Sequence, residues 1–122
     1  MRCRPRSRRT VLGDISLLRR MVVSLVENAL QHTEKAGTIR ITVDAASEGT
    51  TIAVADTGSG IDAVHLPHIF ERFYRCDKSR SERGAGLGLP LVRTVAREHG
   101  GRVAVDSHPG AGSVFTVTLP TA

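Results

Sequence analysis

Residues 55–61, Ala55-Asp56-Thr57-Gly58-Ser59-Gly60-Ile61, put a carboxylate at the end of an apolar run and follow it with two glycines one residue apart. Just upstream, Thr51-Ile-Ala-Val-Ala55 reads as a strand, and Thr38-Ile-Arg-Ile-Thr-Val-Asp44 alternates apolar and polar residues with the period of a half-buried strand. Residues 45–50, with Ser47 and Gly49, read as the turn between them, so the pair is an antiparallel hairpin that delivers Asp56 to a sheet end. A carboxylate held there accepts from a ligand amino group, and Gly58 and Gly60 let the backbone turn with positive φ and come close to a ligand. Asp-Thr-Gly at a strand end also makes an ordinary turn, and turn chemistry alone favours that reading. The rest of the chain decides between them.

Toward the N-terminus, residues 10–13 read as a short strand and Asp14 offers a helix cap. Ile15, Leu18, Val22, Leu25, Val26, Ala29 and Leu30 recur at three and four, which predicts an amphipathic helix over residues 15–33. On it Ser24, Asn28 and Gln31 stand at i, i+4 and i+7 and share one stripe, with Glu27 beside it. Short neutral polar residues suit a wall facing a ligand; read alone, the stripe also suits solvent.

Toward the C-terminus, residues 65–73 read as a short helical stretch broken or bent by Pro67. The next segment lacks periodicity, carries Arg75, Lys78, Arg80 and Arg83 against Asp77 and Glu82, and ends in glycine. It fits a lid over phosphates and equally a plain exposed loop. Gly84-Ala-Gly86-Leu-Gly88-Leu89 then opens a helix over residues 90–99, with Pro90 in its first turn and Gly100-Gly101 as its stop. Glycines running into a helix N-terminus offer free N–H groups and the positive end of the dipole to a polyphosphate. No strand precedes these glycines and no P-loop lysine follows, which excludes both the dinucleotide fingerprint and a P-loop. Arg102-Val-Ala-Val-Asp106 and Ser113-Val-Phe-Thr-Val-Thr-Leu119 form a second hairpin around residues 108–112. The order predicts an α+β two-layer sandwich, a mixed sheet of about five strands with about three helices on one face.

The 122 residues suit one compact domain, taken as residues 10–122 behind a disordered basic tail over residues 1–9. That tail holds Arg2, Arg4, Arg6, Arg8 and Arg9, so the net charge of +5 resides there and the other 12 cations meet 12 acids. A nucleic-acid platform is disfavoured, since the chain has no Trp, one Tyr and three Phe for base stacking. No run reaches the roughly 18 apolar residues of a membrane helix, and no signal-peptide core follows the arginines. Cys3 and Cys76 are far apart without metal-ligand spacing, which fits a reducing, cytoplasmic setting.

Taken in order, these motifs resemble the ATP-binding catalytic domain of sensor histidine kinases, within the superfamily shared with gyrase, mismatch-repair ATPases and the heat-shock chaperone. Val26-Glu-Asn-Ala-Leu-Gln-His-Thr33 resembles the N box, Asp56-Thr-Gly-Ser-Gly60 the first glycine box, Phe70-Glu-Arg-Phe-Tyr-Arg75 the F box and Gly84-Ala-Gly-Leu-Gly88 the second glycine box. The resemblance implies that Asn28 coordinates Mg²⁺ between the phosphates, that Asp56 accepts from the adenine amino group, and that Gly58 and Gly60 give the base room. Gly84, Gly86 and Gly88 would receive the phosphates of ATP under the arginine-rich lid. It also places Gln31, His32, Ile61, Arg72, Tyr74, Arg75, Lys78, Leu87, Leu89 and Ser113 in the nucleotide-binding set, with Glu27 and Asn28 as the catalytic pair.

Two positions depart from the family pattern. Gln31 stands where kinases commonly carry Lys or Arg, and His32 where they carry Tyr; the lid arginines are candidates to compensate. Ser24 stands where the hydrolysing branches carry a glutamate that activates water, and a hydroxyl of ordinary pKa is no such base. The departure argues for transfer to a partner. None of His32, His65, His68, His99 or His108 is followed by the acid-x-Arg-Thr-Pro pattern of the family's acceptor helix. The implied partners are therefore a histidine-containing dimerisation domain, excised or on a separate chain, and a response regulator beyond it. An anti-sigma-type serine kinase and a nucleotide-sensing module without turnover are the alternatives.

Overall fold

The computed structural model describes residues 13–34, 36–47, 49–71 and 88–120. Helix α1 spans Ile15–His32 and starts where Asp14 accepts from the N–H groups of Ser16 and Leu17, at 2.9 and 3.1 Å. Its Met21, Leu25 and Ala29, spaced at i, i+4 and i+8, are fully buried. The apolar spacing in the sequence thus locates both the helix and its core face, to within one residue at the C-terminus.

Strands β1 (Ile39–Ala46) and β2 (Gly49–Asp56) form the first hairpin; β3 (Arg102–His108) and β4 (Gly112–Leu119) form the second. The sheet order is β1-β2-β4-β3 and each of the three pairings is antiparallel. Register puts Ile41, Val54, Phe115 and Val105 in one cross-strand row facing the helices, so the two halves of the chain meet at the β2–β4 seam. Helix α2 (Gly88–Glu98) buries Val92, Val95 and Ala96 beside α1 on that face. Burial of a valine side chain of this kind contributes about 1.5–3 kcal/mol.

The fold class is the expected α+β sandwich, with corrections in its parts. Among the described residues the sheet has four strands, all antiparallel, instead of about five in a mixed sheet. Two α-helices and a short 3-10 turn stand for about three helices. That turn, Leu66–His68, with Pro67 in its first turn, is the helical structure that forms among the described part of residues 65–73. His108, expected in a turn, ends β3. The expected strand over residues 10–13 and the basic tail lie outside the described residues, apart from Gly13.

Two contacts fasten the helical layer. The His99 Nε2 accepts from the Asp14 N–H at 3.0 Å while its Nδ1 lies 2.8 Å from the Val95 carbonyl. A carbonyl only accepts and an N–H only donates, so these partners assign the Nδ1–H tautomer, and the ring ties the start of α1 to the end of α2. Phe70 meets Phe115 edge to face, 6.3 Å between centroids, with the Arg93 guanidinium 5.8 Å from the Phe70 ring centre.

Candidate functional site

Asp56 ends β2 between Ile39 and Ser113, its register partners on β1 and β4, and is 7% exposed. Its Oδ1 accepts from the Gly58 N–H at 2.8 Å, the local bond that an aspartate makes when it starts a turn. The turn reading of this stretch holds, and the turn bond fixes the carboxylate. Oδ2 takes no hydrogen bond from a described residue.

The residues that follow are held on three sides. Thr57 exchanges bonds with Thr38, its N–H donating to the carbonyl at 3.1 Å and its Oγ1 accepting from the amide at 2.9 Å. The Ser59 N–H donates to the His32 carbonyl at 3.2 Å, which joins the turn to the last residue of α1. On the far side the Gly110 N–H donates to the Ser59 carbonyl at 2.7 Å and the Ile61 N–H donates to Ser107 Oγ at 2.7 Å. A Cβ on Gly58 would run into the His32 carbonyl, and one on Gly60, where φ is 76°, into the His108 carbonyl. Glycine is required at both by close backbone approach, and at Gly60 by φ as well.

The α1 stripe forms the adjoining wall. Ser24, Asn28 and Gln31 are half-buried, whereas Glu27, about 100° round the helix, is exposed. Gly88 begins α2 against that stripe, since a Cβ built on it would lie 3.9 Å from Ser24 Cβ. The N-terminus of α2 therefore abuts the wall one helical turn from Asn28 and presents there the N–H groups that an anion uses. Leu89 is half-buried beside it, and His32 is half-buried at the end of α1. Ile61 and Ser113 are buried at the floor.

The structure thus brings together Asp56, Gly58, Gly60, Ile61, Ser113 and His32 at one end, with Asn28, Gln31, Gly88 and Leu89 along the adjoining helices. Arg72, Tyr74, Arg75, Lys78, Gly84, Gly86 and Leu87 lie outside the described residues. Among the described residues no group of three or more His, Cys, Asp or Glu side chains is placed to hold a metal ion. A hard cation here would take the Asn28 amide oxygen with water and phosphate oxygens, a set that suits Mg²⁺.

Ser107 is the residue that sequence reasoning missed. Its Oγ lies 2.7 Å from Ser113 Oγ and 3.2 Å from the Gly112 carbonyl, in addition to the Ile61 bond. The signal was available: residues 107 and 113 are equidistant from Gly110, and such positions face each other across a hairpin.

A carboxylate at a strand end, a polar helix wall and a helix N-terminus define a nucleotide-type cradle on a two-layer sandwich. The family model described as "Histidine kinase-, DNA gyrase B-, and HSP90-like ATPase" matches residues 13–122, and the chain belongs to that family. It is 43% identical over 117 residues to Sensor protein IrlS of Burkholderia pseudomallei, covering 94% of this chain and 25% of that protein. It is 42% identical over 110 residues to Sensor histidine kinase RppB of Synechocystis, covering 88% and 24%. The chain thus spans about a quarter of the length of the curated relatives it matches. Among solved structures it matches the mycobacterial sensor histidine kinase MprB with TM-score 0.82 at 32% identity, covering 91% of this chain and 76% of that one. It matches full-length ShkA in complex with AMPPNP with TM-score 0.80 at 34% identity, covering 94% of this chain and 24% of that one.

Proposed function

We propose that this chain is the ATP-binding catalytic part of a sensor histidine kinase and passes the γ-phosphoryl group to a histidine on a separate dimerisation domain, which then serves a response regulator. The observation that carries the reading is Asp56, buried and fixed by Gly58 at one end of a cradle whose other end is the start of α2 beside the Asn28 stripe. A carboxylate of this kind accepts from the adenine amino group, while the α2 amides receive phosphate.

In this reading Asn28 holds Mg²⁺ through its amide oxygen, and the metal supplies charge neutralisation along the phosphates. The family resemblance adds Gln31, His32, Arg72, Tyr74, Arg75, Lys78, Gly84, Gly86 and Leu87 to the residues that would bind the nucleotide. Glu27, exposed beside Asn28, would take the proton that the acceptor imidazole loses from the ring nitrogen opposite the one that attacks. The bond that forms is histidine N–P, the bond that breaks is the β–γ bridge, and ADP leaves. Ser24 supports transfer over hydrolysis, because a hydroxyl of ordinary pKa stands at the position where the hydrolysing branches carry the glutamate that activates water. No described helix is long and apolar enough to cross a membrane; we place the chain on the cytoplasmic side of its signalling system.

The test is phosphotransfer from γ-labelled ATP to a histidine-containing dimerisation domain, with Mg²⁺ and with EDTA. The expected product is acid-labile and appears only with Mg²⁺. An acid-stable product would move the assignment to serine, and nucleotide binding without labelling of any acceptor domain would leave a nucleotide sensor.

A further inference from the structure

Ser107 Oγ has one proton and two lone pairs to distribute among three neighbours. The Ile61 N–H can only donate, the Gly112 carbonyl can only accept, and Ser113 Oγ can do either. One assignment satisfies all of them. Ser107 gives its proton to Gly112, accepts from Ile61 and accepts from the Ser113 hydroxyl. Both serines are 6% exposed, so water does not readily replace any of these bonds.

In that assignment the Ser113 proton points away from the site and only lone pairs face it. Asp56, the register partner of Ser113 on β2 and on the same face of the sheet, likewise offers an acceptor in Oδ2. Two neighbouring acceptors favour an amino group and oppose a carbonyl. Adenine carries the amino group at that ring position and guanine the carbonyl.

We infer that Ser107 is a positioning residue that sets the purine selectivity of the site, by engaging the Ser113 proton. The inference rests on the nucleotide-binding reading above. It assigns selectivity to a residue buried behind the floor, which acts only through its neighbour. Removing the Ser107 hydroxyl frees the Ser113 hydroxyl to rotate and donate, so a guanine carbonyl becomes acceptable.

The experiment is calorimetric titration of the full chain with AMPPNP and with GMPPNP, on the native protein, Ser107→Ala, Ser107→Thr, Ser113→Ala and the Ser107→Ala/Ser113→Ala pair, each with its melting temperature. One oriented neutral hydrogen bond corresponds to a fall of about 3- to 10-fold in the preference for AMPPNP in Ser107→Ala. Part of that fall comes from tighter GMPPNP binding, which a purely structural role would not produce. Ser107→Thr keeps the preference, and the pair loses no more of it than Ser113→Ala alone. Equal weakening of both nucleotides, or an unchanged ratio, overturns the inference. Should Ser107→Ala fail to fold, an unchanged ratio in Ser113→Ala overturns it instead. A native chain that binds neither nucleotide overturns the nucleotide-binding reading itself, a result distinct from binding with unaltered selectivity.

Discussion

The β1–β2 hairpin closes between Ala46 and Gly49 and the β3–β4 hairpin between His108 and Gly112, both antiparallel and nearly equal in length. Because β2 and β4 run antiparallel side by side, these two turns lie at opposite ends of the sheet. The second turn grips the Asp56 loop through Gly110 and through Ser107 at the end of β3. At the first, Thr51 Oγ1 donates to the Asp44 carbonyl at 3.4 Å, a bond that stays within the hairpin. The same supersecondary unit therefore serves once as plain edge structure and once as the wall of a site. What separates them is cross-linking to a segment far away in sequence.

The largest effect should come from disturbing that grip. Gly60 and Gly110 have almost equal φ, 76° and 79°, but a Cβ on Gly60 would strike the His108 carbonyl while one on Gly110 meets nothing within 4 Å. An alanine at either position pays the left-handed backbone cost of about 1–2 kcal/mol. Gly60→Ala must also displace the hairpin, so we expect a loss of at least about 2 kcal/mol in chemical unfolding and of at least about 10-fold in ATP affinity, one order per 1.4 kcal/mol. Gly110→Ala should cost about 1 kcal/mol and leave affinity within about 2-fold. Equal behaviour of the two variants would break the claim that close approach, beyond φ, shapes this end.

Next in size is the division between base and phosphate ends. Asp56→Asn replaces a carboxylate acceptor by an amide and should weaken ATP by about 10- to 100-fold, the range for hydrogen bonds to charged groups, alike in Mg²⁺ and in EDTA. Asn28→Ala should weaken it only when Mg²⁺ is present. Calorimetry under the two conditions checks both, and a magnesium-dependent loss in Asp56→Asn would count against its facing the base.

Much of this was legible in the sequence because it is local. The α1 core face follows from spacing of three and four, the Asp14 cap from its place before that run, and both hairpins from alternation and turn residues. The Ser24, Asn28 and Gln31 stripe was visible as a spacing, but that it adjoins the start of α2 depends on helix packing. The Ser107–Ser113 pairing lay within reach of a hairpin rule, but the bond from Ser107 to Ile61, 46 residues away, lies beyond rules that see no further than a helix or a hairpin. The His99 clamp, 85 residues from Asp14, was hidden for the same reason. Over residues 65–73 the sequence reading had a short helical stretch broken or bent by Pro67, and the described part of it holds the 3-10 turn Leu66–His68.

The smallest expected effect sharpens the comparison from its quiet side. Ser47 is exposed in the turn of the first hairpin, and no hydrogen bond ties it to another described residue. From there to Asp56 the chain runs the whole eight-residue length of β2, about 25 Å at the usual strand rise. Ser47→Ala should shift unfolding free energy by no more than about 0.5 kcal/mol, as for surface positions without special contacts. ATP affinity and the preference for adenine over guanine should stay unchanged within error. A measurable change in either would show that strain travels along β2 from the far turn to the carboxylate, and the two ends of the sheet would have to be treated as one coupled unit.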